Sequence, residues 1–208
     1  MRITKSAIKT PTGKTNPDVS AMIRQWSLDY DKLRRGLKTL PVFARDDVVL
    51  SFADEFMTKT LGAMTLAWAI MERALDDVVG LVFTSDPGHA IQSTLPVTLD
   101  NKLDYLRKAR AALPWLAPFV DPMRGQQNRI KLARAHRKNV THGVLAVSLD
   151  DYEKWNAKVL DFVGPESTER AVEYDPKAVF GTILEIDALT LDLQSLLGHL
   201  RVARDAAK

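Results

Sequence analysis

Apolar residues recur every three or four positions over most of the chain, the spacing that is typical of amphipathic helices. The pattern is strongest over residues 46–83, where two apolar lines run side by side. Two neighbouring lines predict a helix with a wide buried face, so this segment is expected to form the central core helix. The first line contains Phe56, Ala63, Ala67, Ile70, Ala74, Val78 and Leu81, and the second contains Leu61, Met64, Trp68, Met71, Leu75 and Val79.

Start and stop signals predict four further helices. Pro17 opens the first, which ends before Pro41, because a residue that precedes proline is disfavoured in helical geometry. Thr98 is a suitable N-cap for a helix over 99–113. Another helix runs from about residue 123 to residue 142, where Gly143 ends it.

The last predicted helix covers residues 176–204, and Pro176 suits its first turn. Its apolar line is Val179, Ile183, Ile186, Leu189, Leu193, Leu196, Leu197 and Leu200. Between this helix and the one before it, residues 144–147, 159–163 and 171–174 look extended, and the turn residues 164–167 separate the last two. The sequence therefore predicts an all-α fold, a bundle of about five helices with a short β-hairpin insert.

Composition restricts the protein class. The chain has 208 residues, of which 46% are hydrophobic and 26% charged, values typical of a packed globular domain. It has no cysteine, which excludes disulfides and thiolate sites. The start never gathers the apolar stretch of a signal peptide, and the longest nearly apolar run is too short to cross a bilayer. We expect a cytoplasmic protein with no membrane segment, built as a flexible basic arm (1–16) and one domain (17–208).

A basic run on the fourth long helix is the first candidate for chemistry. Arg129, Lys131, Arg134, Arg137 and Lys138 occur within ten residues that contain no carboxylate. Helical spacing places Arg137 on the apolar line of Ile130 and Ala133, where a guanidinium needs an anionic partner. Glu72, among the apolar positions of the core helix, is the predicted internal partner. The alternative is that Arg137 simply extends to the surface.

His142 occupies the last turn of the same helix, where unpaired carbonyls favour the imidazolium form. Asn139 lies between Arg137 and His142 in sequence. A group that titrates near neutral pH, placed beside phosphate-binding cations, suits acid–base phosphodiester chemistry. The alternative is that a histidine followed by Gly143 is only a helix cap. His136 and His142 have the wrong spacing for one metal ion on one helix face, so no metal or other cofactor is expected.

The segment Arg137-Lys138-Asn139-Val140-Thr141-His142-Gly143 resembles the arginine, four-to-six residues, histidine motif of the HEPN superfamily. In that family the motif also ends a core helix, commonly as Arg-Asn-x-x-Ala-His-Gly. The surroundings are similar as well: a long helix that contains Ile70-Met71-Glu72-Arg73-Ala74-Leu75, then Asn101-Lys102-Leu103 at the start of the next helix. The resemblance covers roughly residues 46–204. This sequence departs from the motif at one position. The polar residue that usually follows the arginine directly is replaced by Lys138, and Asn139 comes one position later.

The resemblance implies a helical-bundle homodimer whose two motifs face one cleft, and a metal-independent endoribonuclease of a toxin or defence system. Arg137 would hold the scissile phosphate, and His142 would move protons as the ribose 2′-hydroxyl attacks. Asn139 would orient or contact the RNA, while Lys138, Arg134 and Lys131 would attract it. A cognate antitoxin or regulatory partner is also implied. The alternative function is that of a non-catalytic RNA-binding or scaffold protein, as in family members that have lost catalysis.

Overall fold

A computed structural model describes residues 14–86, 88–147, 155–163, 166–174 and 176–207. Within these ranges it describes the backbone alone at 42–47, 49–50, 52–54, 56–57, 139–147, 155–163, 166–174 and 176. The predicted flexible arm falls almost entirely outside the described residues. The elements are α1 (Pro17–Leu37), α2 (Val42–Phe83), α3 (Gly88–Ile91), α4 (Leu99–Ala112), a 3₁₀ helix (Pro114–Phe119), α5 (Val120–His142), β1 (Gly143–Val147), β2 (Trp155–Val163), β3 (Glu166–Tyr174) and α6 (Pro176–Ala206).

The predicted all-α bundle is confirmed, and the helix ends follow from local chemistry. Asn16 caps α1, because its side-chain oxygen accepts a hydrogen bond from the Asp18 amide at 2.9 Å. Thr98 caps α4 in the same way by accepting from the Asn101 amide. Helix α6 begins at Pro176, where the missing N–H costs nothing.

Helix α6 is the centre of the bundle, because α1, α2 and α5 all pack against it, whereas the apolar pattern had predicted the central position for α2. Every residue of its predicted apolar line is buried. Helix α1 lies along one side of it, where the Trp26 and Phe180 rings meet at 6.1 Å and Lys177 pairs with Asp31. A helix in this position must be apolar on several faces, which explains the density of leucine and isoleucine near the end of the chain.

Helix α2 buries the second of its two predicted lines, including Met64, Trp68 and Met71. In the first line Ala74, Val78 and Leu81 are buried, whereas Ala63 and Ala67 are half-buried. The prediction for Ile70 was wrong, since this side chain is 48% exposed and the neighbouring Leu66 is 63% exposed. Helical periodicity reports that a face is apolar, but whether another helix covers the whole of it depends on the packing of α4 and α6.

The loop between α2 and α4 contains the short helix α3, which the sequence did not predict. Gly88 begins it at a close approach to the end of α2: a Cβ there would lie 2.2 Å from the Val82 carbonyl oxygen. The hydroxyl of the buried Tyr105 donates to the Gly88 carbonyl at 3.3 Å, and burial raises the Tyr105 pKa to about 12. Only glycine allows the chain to return this tightly over its own helix.

The segment between α5 and α6 forms a three-stranded antiparallel sheet in the order β1-β2-β3. Gly143 pairs with Val159 in the first ladder, and Trp155 pairs with Tyr174 in the second. The predicted extended segments 144–147, 159–163 and 171–174 lie within these strands. Because β1 begins directly after His142, the sheet starts at the point where the candidate motif ends.

Candidate functional site at the end of helix α5

The backbone of α5 is one continuous helix from Val120 to His142, so the directions of its residues follow helical geometry. At about 100° per residue, positions 137 and 142 point about 140° apart. The predicted assignments of Asn139 and His142 concern side chains outside the described residues, and these assignments stay predictions. The helix does end at His142, and Gly143 starts a strand.

Arg137 lies on the inner side of α5. Ile130 and Ala133, which precede it on the predicted line, are 0% and 3% exposed. The Arg137 guanidinium carbon lies over the ring of Trp68 on α2, 5.1 Å from the ring centroid. A guanidinium over an indole face forms a cation–π contact, which positions its plane against the ring. An aromatic residue of α2 therefore positions Arg137, whose side chain is half-buried.

Glu72 was the predicted partner of Arg137. The ion pairs between side chains in the described part of the chain do not include one between Arg137 and Glu72. Glu72 is half-buried and lies one helical turn after Trp68 on α2, on the same side of that helix. The sequence thus indicated the correct region of α2, and within it the aromatic residue Trp68 contacts Arg137.

Arg129, counted above in the basic run, connects α5 to α6. Its guanidinium donates to Glu185 and to Asp192, both at 2.5 Å, and its side chain is 22% exposed. The two carboxylates raise the Arg129 pKa against the opposing effect of burial, which is the largest single influence. Neutralised on both sides, this arginine has a structural role and is not available to a ligand.

The three predicted substrate-binding cations differ in their surroundings. Arg134 pairs with Asp100 of α4 at 2.5 Å, so tertiary structure supplies the carboxylate that the local sequence lacks. Lys131 and Lys138 are exposed on the outer side of α5. The five cations of the basic run therefore separate into one structural arginine, one arginine in a surface ion pair, one arginine over the Trp68 ring, and two exposed lysines.

His136 is a second titratable group on α5, and the sequence gave it no role beyond its unsuitable metal spacing. Its side chain is half-buried, and burial lowers its pKa because the charged imidazolium would lose solvation. Its position next to Arg137 in sequence is the only signal that could have drawn attention to it. The described side chains include no cluster of three or more histidine, aspartate or glutamate residues suited to a metal ion.

Trp68 is the contact that sequence analysis missed, since it was read only as core. The signal was present in the spacing, because Trp68 and Glu72 are four residues apart and share one side of the helix.

Among the described helices, none is both long enough and apolar enough to cross a membrane. No family model, curated protein or solved structure matches the chain.

Proposed function

We propose that this protein is a HEPN-like, metal-independent endoribonuclease that works as a homodimer. The observation that carries the proposal is the position of Arg137, held over Trp68 five residues before α5 ends at His142. A guanidinium held in this way has a defined location, and its planar N–H edge is suited to a phosphate. The position of His142 in the last helical turn favours a charged imidazole that can give up a proton near neutral pH.

In the proposed reaction, the ribose 2′-hydroxyl attacks the adjacent phosphorus and the bond to the 5′-oxygen of the next nucleotide breaks. The products are a 2′,3′-cyclic phosphate and a free 5′-hydroxyl. The neutral His142 of one copy takes the proton of the attacking 2′-hydroxyl, and the protonated His142 of the second copy supplies a proton to the leaving 5′-oxygen. Arg137 binds the non-bridging phosphate oxygens, whose charge grows in the transition state. Asn139 orients the RNA, and Lys131, Arg134 and Lys138 attract it.

A second copy of the chain would complete the pocket. Because positions 137 and 142 diverge by about 140° on one helix, one copy is poorly arranged to place both groups on one phosphate. A two-fold axis near the end of α5 presents each residue twice. Leu66 and Ile70 are exposed and form a separate apolar surface on α2, each about 160° around the helix from Trp68. A dimer through that surface would leave the two α5 ends apart, so the proposed interface lies at the α5 end.

The first test is cleavage of a mixed RNA pool by the purified protein in EDTA. The His142→Ala variant is expected to lose at least about 100-fold in cleavage rate, the usual size of a general acid–base contribution, with little change in melting temperature. The matched control is His199→Ala, which removes an exposed histidine from α6. It should cleave at the wild-type rate.

Two results would contradict the enzyme proposal. If wild-type protein leaves the pool intact in EDTA, the metal-independent reaction is absent. If His142→Ala and His199→Ala cleave equally, the motif histidine takes no part in catalysis. Sedimentation that shows only monomer at micromolar concentration would remove the dimer and, with it, the pocket to which two copies contribute Arg137 and His142.

The same cation–π contact also favours a second function, that of a non-catalytic RNA-binding or scaffold protein. In that case Arg137 serves the packing of α5 on α2, and its loss would weaken the fold more than it weakens any activity. Because Arg137 is half-buried, Arg137→Ala should then cost about 1–2 kcal/mol, below the roughly 3–5 kcal/mol of a fully buried charge pair. The proposal under either function includes a role in a toxin or defence system. It also includes a cognate antitoxin as a partner.

A further inference from the structure

A second group of arginines lies at the opposite end of α5 from the candidate motif. Arg110 of α4 donates to the side-chain oxygen of Gln127 at 2.7 Å and to the Val120 carbonyl at 3.3 Å. The pKa of Arg110 is lowered first by burial and then by the nearby charges of Arg124 and Arg107. Arg107 lies one turn before Arg110 on α4, and position 124 lies one turn after Val120 on α5, so the three arginines belong to the adjoining parts of two helices that Arg110 connects.

The acids near this cluster neutralise only part of it. Asp104 pairs with Arg107 and Lys108, and Asp121 pairs with Arg124 at 3.3 Å. Arg107 and Arg124 are 64% and 63% exposed, so these are surface ion pairs of small net energy that an incoming phosphate can displace. Arg110 takes part in none of the ion pairs between described side chains. Two of its five N–H donors are used by Gln127 and Val120.

The outer side of α5 leads from this cluster toward the motif. At about 100° per residue, positions 124, 131, 138 and 142 fall within about 40° of one line along the helix. Arg124, Lys131 and Lys138 are all exposed, and Asn128 and Ala135 between them are exposed as well. Successive cations are seven residues apart, about 10.5 Å at 1.5 Å per residue. Cations repeated along one open face suit a linear polyanion better than a single small anion.

We infer that Arg107, Arg110 and Arg124 form a second phosphate-binding site, and that it continues through Lys131 and Lys138 as a track for single-stranded RNA ending at the motif. This inference rests on the proposed function for its choice of RNA over other polyanions. The cluster holds the RNA backbone about 27 Å from position 142, because 18 residues of helix separate positions 124 and 142. Substrates long enough to reach both ends would bind more tightly than short ones.

The test is equilibrium binding of a fluorescent 2′-O-methyl oligouridine of 12 nucleotides at several NaCl concentrations. This probe has no free 2′-hydroxyl, so binding is measured without cleavage. About four phosphate contacts predict a slope of log affinity against log salt near −3, at about −0.7 per contact. The double variant Arg107→Gln/Arg124→Gln should weaken binding roughly 10- to 30-fold at 0.1 M salt and reduce the slope by about 1.4.

The matched control is Arg73→Gln/Arg201→Gln, which removes the same charge from exposed positions on α2 and α6. It should change affinity by less than about twofold, because charges away from the contact act weakly at this ionic strength. Equal losses in the two double variants would overturn the inference, as would an absence of binding. Complete competition by millimolar uridine monophosphate would overturn the track and leave a single-anion site. Tighter binding of a poly-glutamate peptide than of the oligouridine would make an acidic protein, and not RNA, the ligand of this surface.

The outcomes separate this inference from the proposed function. If the oligouridine binds with the expected slope but RNA stays uncut in EDTA, the track stands and the enzyme proposal fails. If RNA is cut through His142 while both double variants bind alike, the enzyme stands and the track fails.

Discussion

Arg129 and Arg137 are two half-buried arginines on the same helix, and their surroundings differ completely. Arg129 faces α6 and is held by the carboxylates of Glu185 and Asp192. Arg137 faces α2, where its guanidinium lies over the Trp68 ring. In the local sequence the two residues look alike, since each lies in a basic run without an acid. The partner that each one meets across the bundle gives it a different role.

The difference lies in how each guanidinium is held. Two charge-assisted pairs neutralise Arg129 and join α5 to the central helix, so it acts as a structural connection. A cation–π contact is weaker, and it holds the Arg137 guanidinium against the face of the Trp68 ring. The end of α5 that carries the motif is therefore the end where an arginine is positioned by an aromatic ring.

The largest expected effect on this comparison comes from Arg129. The Arg129→Leu variant leaves Glu185 and Asp192 without their shared cation. We expect the free energy of unfolding to fall by about 2 kcal/mol. This is less than the loss for a fully buried pair, because all three groups are partly exposed. Urea denaturation measures it. The matched change Arg124→Leu, on the exposed side of α5, should stay within about 0.5 kcal/mol of wild type. Equal losses would mean that the α5–α6 ion pairs add nothing to stability.

A smaller effect is expected from the contact between Arg137 and Trp68. A double-mutant cycle with Arg137→Met and Trp68→Leu should give a coupling energy of about 0.5–2 kcal/mol. This range extends from an exposed cation–π contact to one that is well shielded from water. The cycle removes the large separate cost of shrinking the buried Trp68. Coupling within error of zero would show that the indole does not hold the guanidinium, and the main support for the proposed site would go with it.

The smallest effect concerns His136, between the two arginines. Because burial lowers its pKa in the folded state, the unfolded chain binds more protons than the folded chain between the folded pKa and about 6.5. Stability is thus unaffected by this residue above that range and falls as the pH drops through it. The His136→Gln variant should show a shallower decline in melting temperature between pH 7.5 and pH 5. An unchanged profile would place His136 in a more solvated setting.

Much of the fold was predictable because helix formation depends on local spacing. The apolar line of α6, the cap at Thr98 and the first-turn proline Pro176 needed only neighbours in sequence. Ile70 was wrong because exposure depends on where the covering helices lie, and α3 was missed because Gly88 approaches carbonyls of the preceding helix.

The candidate site was predictable to a lesser extent. Sequence placed Arg137 on the inner side of α5 and ended the helix at position 142, and both follow from periodicity and from Gly143. It could not assign Trp68 to Arg137, Asp100 to Arg134, or two carboxylates to Arg129. Nor could it bring Arg107, Arg110 and Arg124 together, because they come from two helices whose relative position no local pattern encodes.

For this protein, the sequence by itself determined the helices, their buried lines and the order of charges along α5. The tertiary structure alone decided which of those charges are neutralised and which stay exposed. The physical reason is range: backbone hydrogen bonding and side-chain periodicity act over one or two turns, whereas the partner of a charge is set by the packing of helices far apart in the chain.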